Sequence, residues 1–292
     1  MVIDALRAET FRLSKNRLTV FWSVGFIPLL FAVLGTFAYL MNKTKGDELA
    51  AAAELPAQAA APLNLAEAIT FAANFGAEAR IVGGMMLVFM LIAGATVYAG
   101  DYRWETWRLI TPRNDRVSLI LGKVGLMKIL AFSSLVALLV AAFVLKGAQA
   151  VIYARPMAFQ ITGEQLGDAA LLWMLSYIRI VQYGLIGLLT AVVTRSMMAT
   201  LFVPIAVGFG QSILGIPMVM GVLGLKPEGW PAQLLLPGMA YDSLKLAVTP
   251  GIVPPPATAD ALWPAAVGLT LWTVLPLIGA LAWFNRQDLS KE

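Results

Sequence analysis

The 292-residue chain contains no cysteine and no histidine. The first absence excludes disulfides and thiolate metal sites. The second excludes bis-histidine haem ligation and every catalytic arrangement that turns on an imidazole. No metal site and no cofactor is expected. Charge is scarce as well: charged residues make up 13% of the chain and hydrophobic residues 59%, with a mean hydropathy of +0.78. A soluble domain carries about a quarter charged residues. No GxxxxGK[ST] phosphate loop occurs, so the chain does not cradle ATP in that way. The apolar runs hold no aspartate or glutamate and show no internal repeat. That weighs against a secondary transporter driven by a coupling proton, and against a membrane-embedded enzyme.

What is present is a series of apolar runs far longer than a barrel strand needs. They predict an all-α polytopic membrane protein, one transmembrane domain over residues 1–292, with six transmembrane helices near 18–41, 81–99, 124–145, 169–193, 197–225 and 262–284. Residues 1–17 precede the first. At 100° per residue Val2, Ile3, Leu6, Thr10 and Leu13 fall on one side, and Asp4, Arg7, Arg12, Ser14 and Lys15 on the other, with Phe11 and Arg17 breaking the pattern. An N-terminal amphipathic helix lying in the membrane interface fits. The first run is too long for the apolar core of a signal peptide, and its Pro28 is tolerable where neighbouring helices cover the loosened backbone. Residues 42–80 are alanine-rich and punctuated by Pro56 and Pro62, with a short helix expected over 64–80. The fifth run is weakened by Gly208, Gly210, Gly215 and Pro217 and is expected to break near Gly215-Ile216-Pro217. Residues 146–169 read as a polar loop. Residues 226–261 form an extracytoplasmic segment with a short helix near Ala240–Val248.

Orientation follows from the basic residues. With six spans both termini share a side with loop 100–123 and turn 194–196. That side carries 12 of the 21 lysines and arginines in 52 residues, against 7 in 99 on the other. Both termini are therefore expected in the cytoplasm, and 226–261 outside.

The most informative stretch is Asp101 to Lys123, DYRWETWRLITPRNDRVSLILGK. It is strongly basic and lies between two apolar runs. Trp104 and Trp107, three apart, are expected to share the face of a short amphipathic helix, before Pro112 and a turn at Asn114-Asp115. One reading is a juxtamembrane loop held to anionic lipid by arginine and tryptophan. The other is a docking element.

An interfacial N-terminal helix, six spans, a basic loop after the second and a broken fifth resemble the permease subunits of ABC-2-type exporters. Asp101-Tyr102 matches the acidic-aromatic pair that closes span two in that family. Glu105-Thr106 stands where the family has Gly-Thr. Arg116 and Lys123 keep a seven-residue spacing, and Glu9 and Lys15 keep the acidic-then-basic order. Pro112 sits one residue further back than the pattern.

The resemblance implies a division of labour. The chain would be a permease in a bacterial cytoplasmic (inner) membrane, not itself an enzyme. It would pair with a second permease copy or homologue and with two copies of a separate ATPase. It would contact membrane lipid and no nucleic acid. The resemblance places an ATPase-coupling helix near 102–111, with Trp104, Trp107 and Leu109 for apolar contact, Arg103, Glu105 and Arg108 for orienting charge, and Arg116 beyond it. A non-transporting membrane anchor is the competing class.

The remaining candidate is Arg179, near the middle of the fourth run. Ser176, Gln182, Tyr183 and Thr190 lie within about 60° of it on a helix. An unpaired arginine at that depth is costly and must face protein or water. No acid in any span offers a partner. Arg179 is either a brace bonded to carbonyls and Gln182, or a contact for a phosphate or carboxylate on a transported molecule. Ser176, Gln182 and Tyr183 are the other transport-pathway candidates.

Overall fold

In the computed structural model the described residues are 2–52, 69–70, 85–104, 106–111, 115–154, 156–158, 162–248 and 257–287. Helices account for nearly all of them. They are α1 (Val2–Lys15), α2 (Arg17–Val20), a π-turn at Phe21–Gly25, α3 (Phe26–Ala52), α4 (Leu87–Arg103), α5 (Trp107–Ile110), α6 (Arg116–Tyr153), α7 (Gly163–Thr194), α8 (Met197–Leu214), α9 (Pro217–Val222), α10 (Trp230–Leu235), α11 (Pro237–Ala247) and α12 (Ala257–Arg286). The only paired extended chain among the described residues is a two-residue parallel bridge of β1 (Ile69–Thr70) with β2 (Met157–Ala158). Among these residues five helices are long and apolar enough to cross a membrane: Arg17–Lys45, Arg116–Tyr153, Leu166–Thr194, Met197–Leu214 and Ala259–Arg286. The chain is thus an all-α multi-pass membrane protein. The apolar α4, 17 residues long, is largely enclosed and carries the buried small residues Ala93, Gly94, Ala95 and Ala99; a Cβ at Gly94 would meet Met127 at 3.5 Å.

Local chemistry explains the boundaries. Pro28 has no N–H to give the carbonyl four residues back, and the helix widens into the π-turn just before it. Asp115 caps α6 by accepting from the Ser118 N–H at 2.9 Å, and Ser196 caps α8 by accepting from Ala199 N–H at 3.3 Å. Arg195 takes the left-handed conformation (φ 57°) that lets three residues reverse the chain between α7 and α8. The chain breaks at Gly215-Ile216, between α8 and the proline that opens α9.

Several boundaries differ from the sequence reading. α6 runs on to Tyr153 and α7 starts at Gly163, so most of the expected loop 146–169 is helix. Lys146 to Tyr153 contain no proline, and this extension is held by the Tyr153 hydroxyl donating to Tyr39 O at 3.1 Å and by Lys43 Nζ donating to Ile152 O. Ile69-Thr70, expected inside a helix over 64–80, are extended because they pair with Met157-Ala158. The rest of that expectation falls outside the described residues. The short helix expected from Ala240 begins at Pro237, where a missing N–H costs nothing in the first turn. α10 precedes it, unanticipated.

Two packings set the sites. α1 lies on α6 at Gly122, where a Cβ would sit 2.9 Å from the Ala5 Cβ. The pair α10–α11 folds back on α12, with Gln233 O so close to Gly268 that a Cβ there would lie 2.2 Å away. Trp272 Nε1 donates to Leu234 O at 2.8 Å beside it. Segment 226–248 is therefore docked into the bundle through α12, α7 and α8.

Candidate functional site

Four charged groups meet where α1, the end of α4 and the start of α6 converge. Lys123 is 1% exposed, although it closes what reads in sequence as a basic loop. Its ammonium donates to the Val97 carbonyl at 2.8 Å and forms ion pairs with Glu9 Oε1 at 2.8 Å and Asp101 Oδ2 at 2.5 Å. Asp101 is equally buried. Its Oδ1 takes Arg12 Nη1 at 2.6 Å and the Thr106 hydroxyl at 2.5 Å. Arg12 also reaches Glu9, at 3.5 Å, so two cations balance two carboxylates. Burial opposes the charge on Asp101, but Lys123, Arg12 and Thr106 outweigh it and hold its carboxyl below the ordinary 3.8. A carboxylate at a helix C-terminus opposes the helix dipole, which these cations also offset. Glu9 lies in the buried stripe of α1 with Ala5, Leu6 and Leu13, not on its polar side, while Val2 and Ile3 are exposed.

The tryptophans part company. α4 extends to Arg103, Trp104 caps it and is 71% exposed, and α5 is a single turn from Trp107. Trp104 ends one helix and Trp107 starts the next, so the two side chains do not share the face of one helix. Trp107 is 2% exposed, with its ring 4.7 Å from Phe284, 5.6 Å from Tyr102 and 5.2 Å from the Lys123 ammonium. Arg103 is exposed beside Trp104 (5.3 Å) and reaches Met197 Sδ at 3.9 Å. Arg116 turns inward as a clamp, its Nη1 donating to the carbonyls of Phe284, Asn285 and Gln287 at 3.1, 3.2 and 2.7 Å, the free acceptors at the end of α12. Gln287 in turn donates to Val192 O and accepts from the Tyr102 hydroxyl at 3.0 Å. Glu105 and the side chains of Arg108 and Leu109 lie outside the described residues. Among the residues expected in docking, Arg103 and Trp104 thus present an outer surface, whereas Trp107 and Arg116 hold the bundle together.

The second polar site is a cleft between α7, α8 and α11, lined in part by Arg179, Gln211, Gly238 and Asp242. The sequence candidates on α7 converge only in part. Ser176 lies 3.4 Å from the Tyr241 hydroxyl, and the Arg179 guanidinium stacks on Tyr241 at 4.3 Å and lies 5.5 Å from Tyr183. Tyr183 in turn packs along Gly208, where an added Cβ would meet its ring at 3.1 Å. Gln182 is fully buried, and neither of its amide atoms has a hydrogen-bond partner among the described residues. The acid absent from the spans comes from α11: Asp242 faces Arg179 and Lys245. Burial pushes its carboxyl above the ordinary value, and both cations pull the other way. Tyr241 and Asp242 were not legible as site residues, because α11 reaches α7 only through the fold-back, and Gln211 on α8 joins the site through the same fold-back, by accepting from Gly238. Among the described residues no cluster of His, Cys, Asp and Glu fits a metal ion. Compared with known families and curated proteins, the chain matches no family model and no curated sequence.

Proposed function

We propose that this chain is the membrane-spanning permease subunit of an ATP-driven ABC-2-type exporter in a bacterial cytoplasmic membrane. In this reading α4 is the second of six crossings. Both termini lie on the cytoplasmic side, where α1, the turn after α4, turn 194–196 and the end of α12 gather. Two copies, or one with a homologue, carry two ATPase subunits. The observation that carries the reading is the buried Glu9–Arg12–Asp101–Lys123 cluster. It welds the interfacial helix, the end of α4 and the start of α6 into one rigid ledge, on whose outside Arg103 and Trp104 stand exposed. A ledge tied to three helices can pass a push from an attached ATPase into the bundle, whereas a loose lipid-anchored loop cannot. The exposed aromatic-arginine pair is a suitable docking anchor.

The test begins with the neighbouring reading frames, which are expected to encode a phosphate-loop ATPase for co-expression. The native chain is expected to co-purify with it and to stimulate ATP hydrolysis in lipid. Arg103→Glu with Trp104→Ala should release the partner, since loss of an anchor costs about 2 kcal/mol, roughly thirtyfold in affinity. An ATPase that stays bound and coupled to the double variant would leave the surface a lipid anchor and sink this reading of it.

A further inference from the structure

We propose that the cleft between α7, α8 and α11 is a binding site for an oxyanion, a phosphate or carboxylate group, held by Arg179, Gln211 and the amino end of α11. Arg179 is presented for that task. Tyr241 and Tyr183 hold the cation against their rings at 4.3 and 5.5 Å, contacts that use the guanidinium's charge and not its N–H donors. Nε and Nη1 are both buried and have no hydrogen-bond partner among the described residues. The two donors lie on different edges of the guanidinium, and each can donate to an oxygen of a carboxylate or phosphate.

Gln211 supplies the second, independent observation. It is nine-tenths buried and its Oε1 accepts the Gly238 N–H at 2.9 Å. That bond fixes the amide and leaves Nε2 as the buried donor without a partner on the same cleft. Gly238 is in the first turn of the eleven-residue α11, whose helix dipole favours negative charge at that end. No ion pair within 4.0 Å joins Arg179 to Asp242 among the described residues. Buried donors without partners are rare in native proteins, and here three lie at one cleft between an arginine and a helix N-terminus.

The group recognised is shared by lipid headgroups and free phosphate. As a substrate site the cleft rests on the export reading; as a binding site it stands without it. The test therefore uses the purified chain alone in a neutral detergent. Its melting midpoint is followed against sodium phosphate, with sodium chloride at matched ionic strength, and against dihexanoyl phosphatidylglycerol, with dihexanoyl phosphatidylcholine as control. A saturable rise with phosphate identifies a free oxyanion, and one with phosphatidylglycerol alone identifies an anionic headgroup; either supports the site. Arg179→Gln should weaken the apparent Kd by tenfold or more. Gln211→Glu keeps the acceptor for Gly238 but replaces the free donor with a negative charge, and should do the same. A native chain that responds to neither probe, or variants that respond as the native chain does, would overturn the proposal. Binding that persists without any ATPase association would remove the export reading and leave the site. Normal ATPase coupling without binding would do the reverse.

Discussion

Replacing Lys123 by methionine keeps an unbranched apolar side chain out to the ε-carbon and removes the ammonium with its charge and its three donors. The perturbation strands two buried carboxylates. Glu9 and Asp101 keep Arg12, at 3.5 and 2.6 Å, but lose the ammonium at 2.8 and 2.5 Å, and the Val97 carbonyl loses its donor. Breaking a buried pair by removing one partner costs about 3–5 kcal/mol. Because Arg12 is half exposed and remains on both acids, the lower end applies, about 3 kcal/mol, or roughly 150-fold in the unfolding constant. Unfolding of the purified chain in mild detergent can be followed by tryptophan fluorescence, since the Trp107 ring is 5.2 Å from the ammonium. Asp101→Asn closes a double-mutant cycle. With both charges gone the remaining cations and acids balance, so the double variant should be more stable than the sum of the single losses predicts, by about 1–3 kcal/mol. A Lys123→Met chain within about 0.5 kcal/mol of the native one, or a cycle that adds within that margin, would refute the view that this cluster holds three helices together.

Trp107→Ala should cost about 3–5 kcal/mol by opening a cavity against Phe284 and Tyr102, whereas Trp104→Ala, at an exposed site, should change stability by no more than about 0.5 kcal/mol; equal effects in denaturant unfolding would contradict the burial of one and exposure of the other. Gly268→Ala drives a Cβ into the Gln233 carbonyl, so α10 must shift, at a cost of about 1–3 kcal/mol or more and with the environment of Trp272 altered; an unchanged melting midpoint and unchanged emission would count against the α10–α12 packing. The Asp101 carboxyl is depressed in the folded chain, so its contribution is fully present above the ordinary 3.8 and is lost as pH falls through the lower folded-state value; melting in acid should show a loss that sets in near the ordinary 3.8 and continues below it, which Asp101→Asn lacks, and identical profiles would exclude the group as its source. In this cysteine-free chain a cysteine at Arg286 should be shielded from an impermeant thiol reagent in intact cells and one at Asp260 labelled; the opposite pattern would invert the proposed orientation.

Hydropathy and helix punctuation are local properties, and they were enough to establish the class of this protein from its residues. Long apolar runs in a chain with 13% charged residues specify membrane-crossing helices, because lipid leaves the backbone no other partner. The break at Gly215-Ile216 and the reversal at Thr194-Arg195-Ser196 lie where glycine, proline and a capping serine put them. The polar face of α7 was legible in the spacing of Ser176, Arg179 and Tyr183. What only the tertiary structure decided is which charged and aromatic groups are spent inside. Of the five cations between Asp101 and Lys123, Lys123 is enclosed and Arg116 is clamped to the end of α12. Trp107 is core and Trp104 is surface, although the two are three residues apart. Those assignments depend on contacts across 89 residues to α1 and 168 to α12, and no local pattern encodes them. The same holds for Arg179. Its acid and its aromatic cover arrive on α11, 62 residues further along, because α10 and α11 fold back through a gap that Gly268 leaves open on α12.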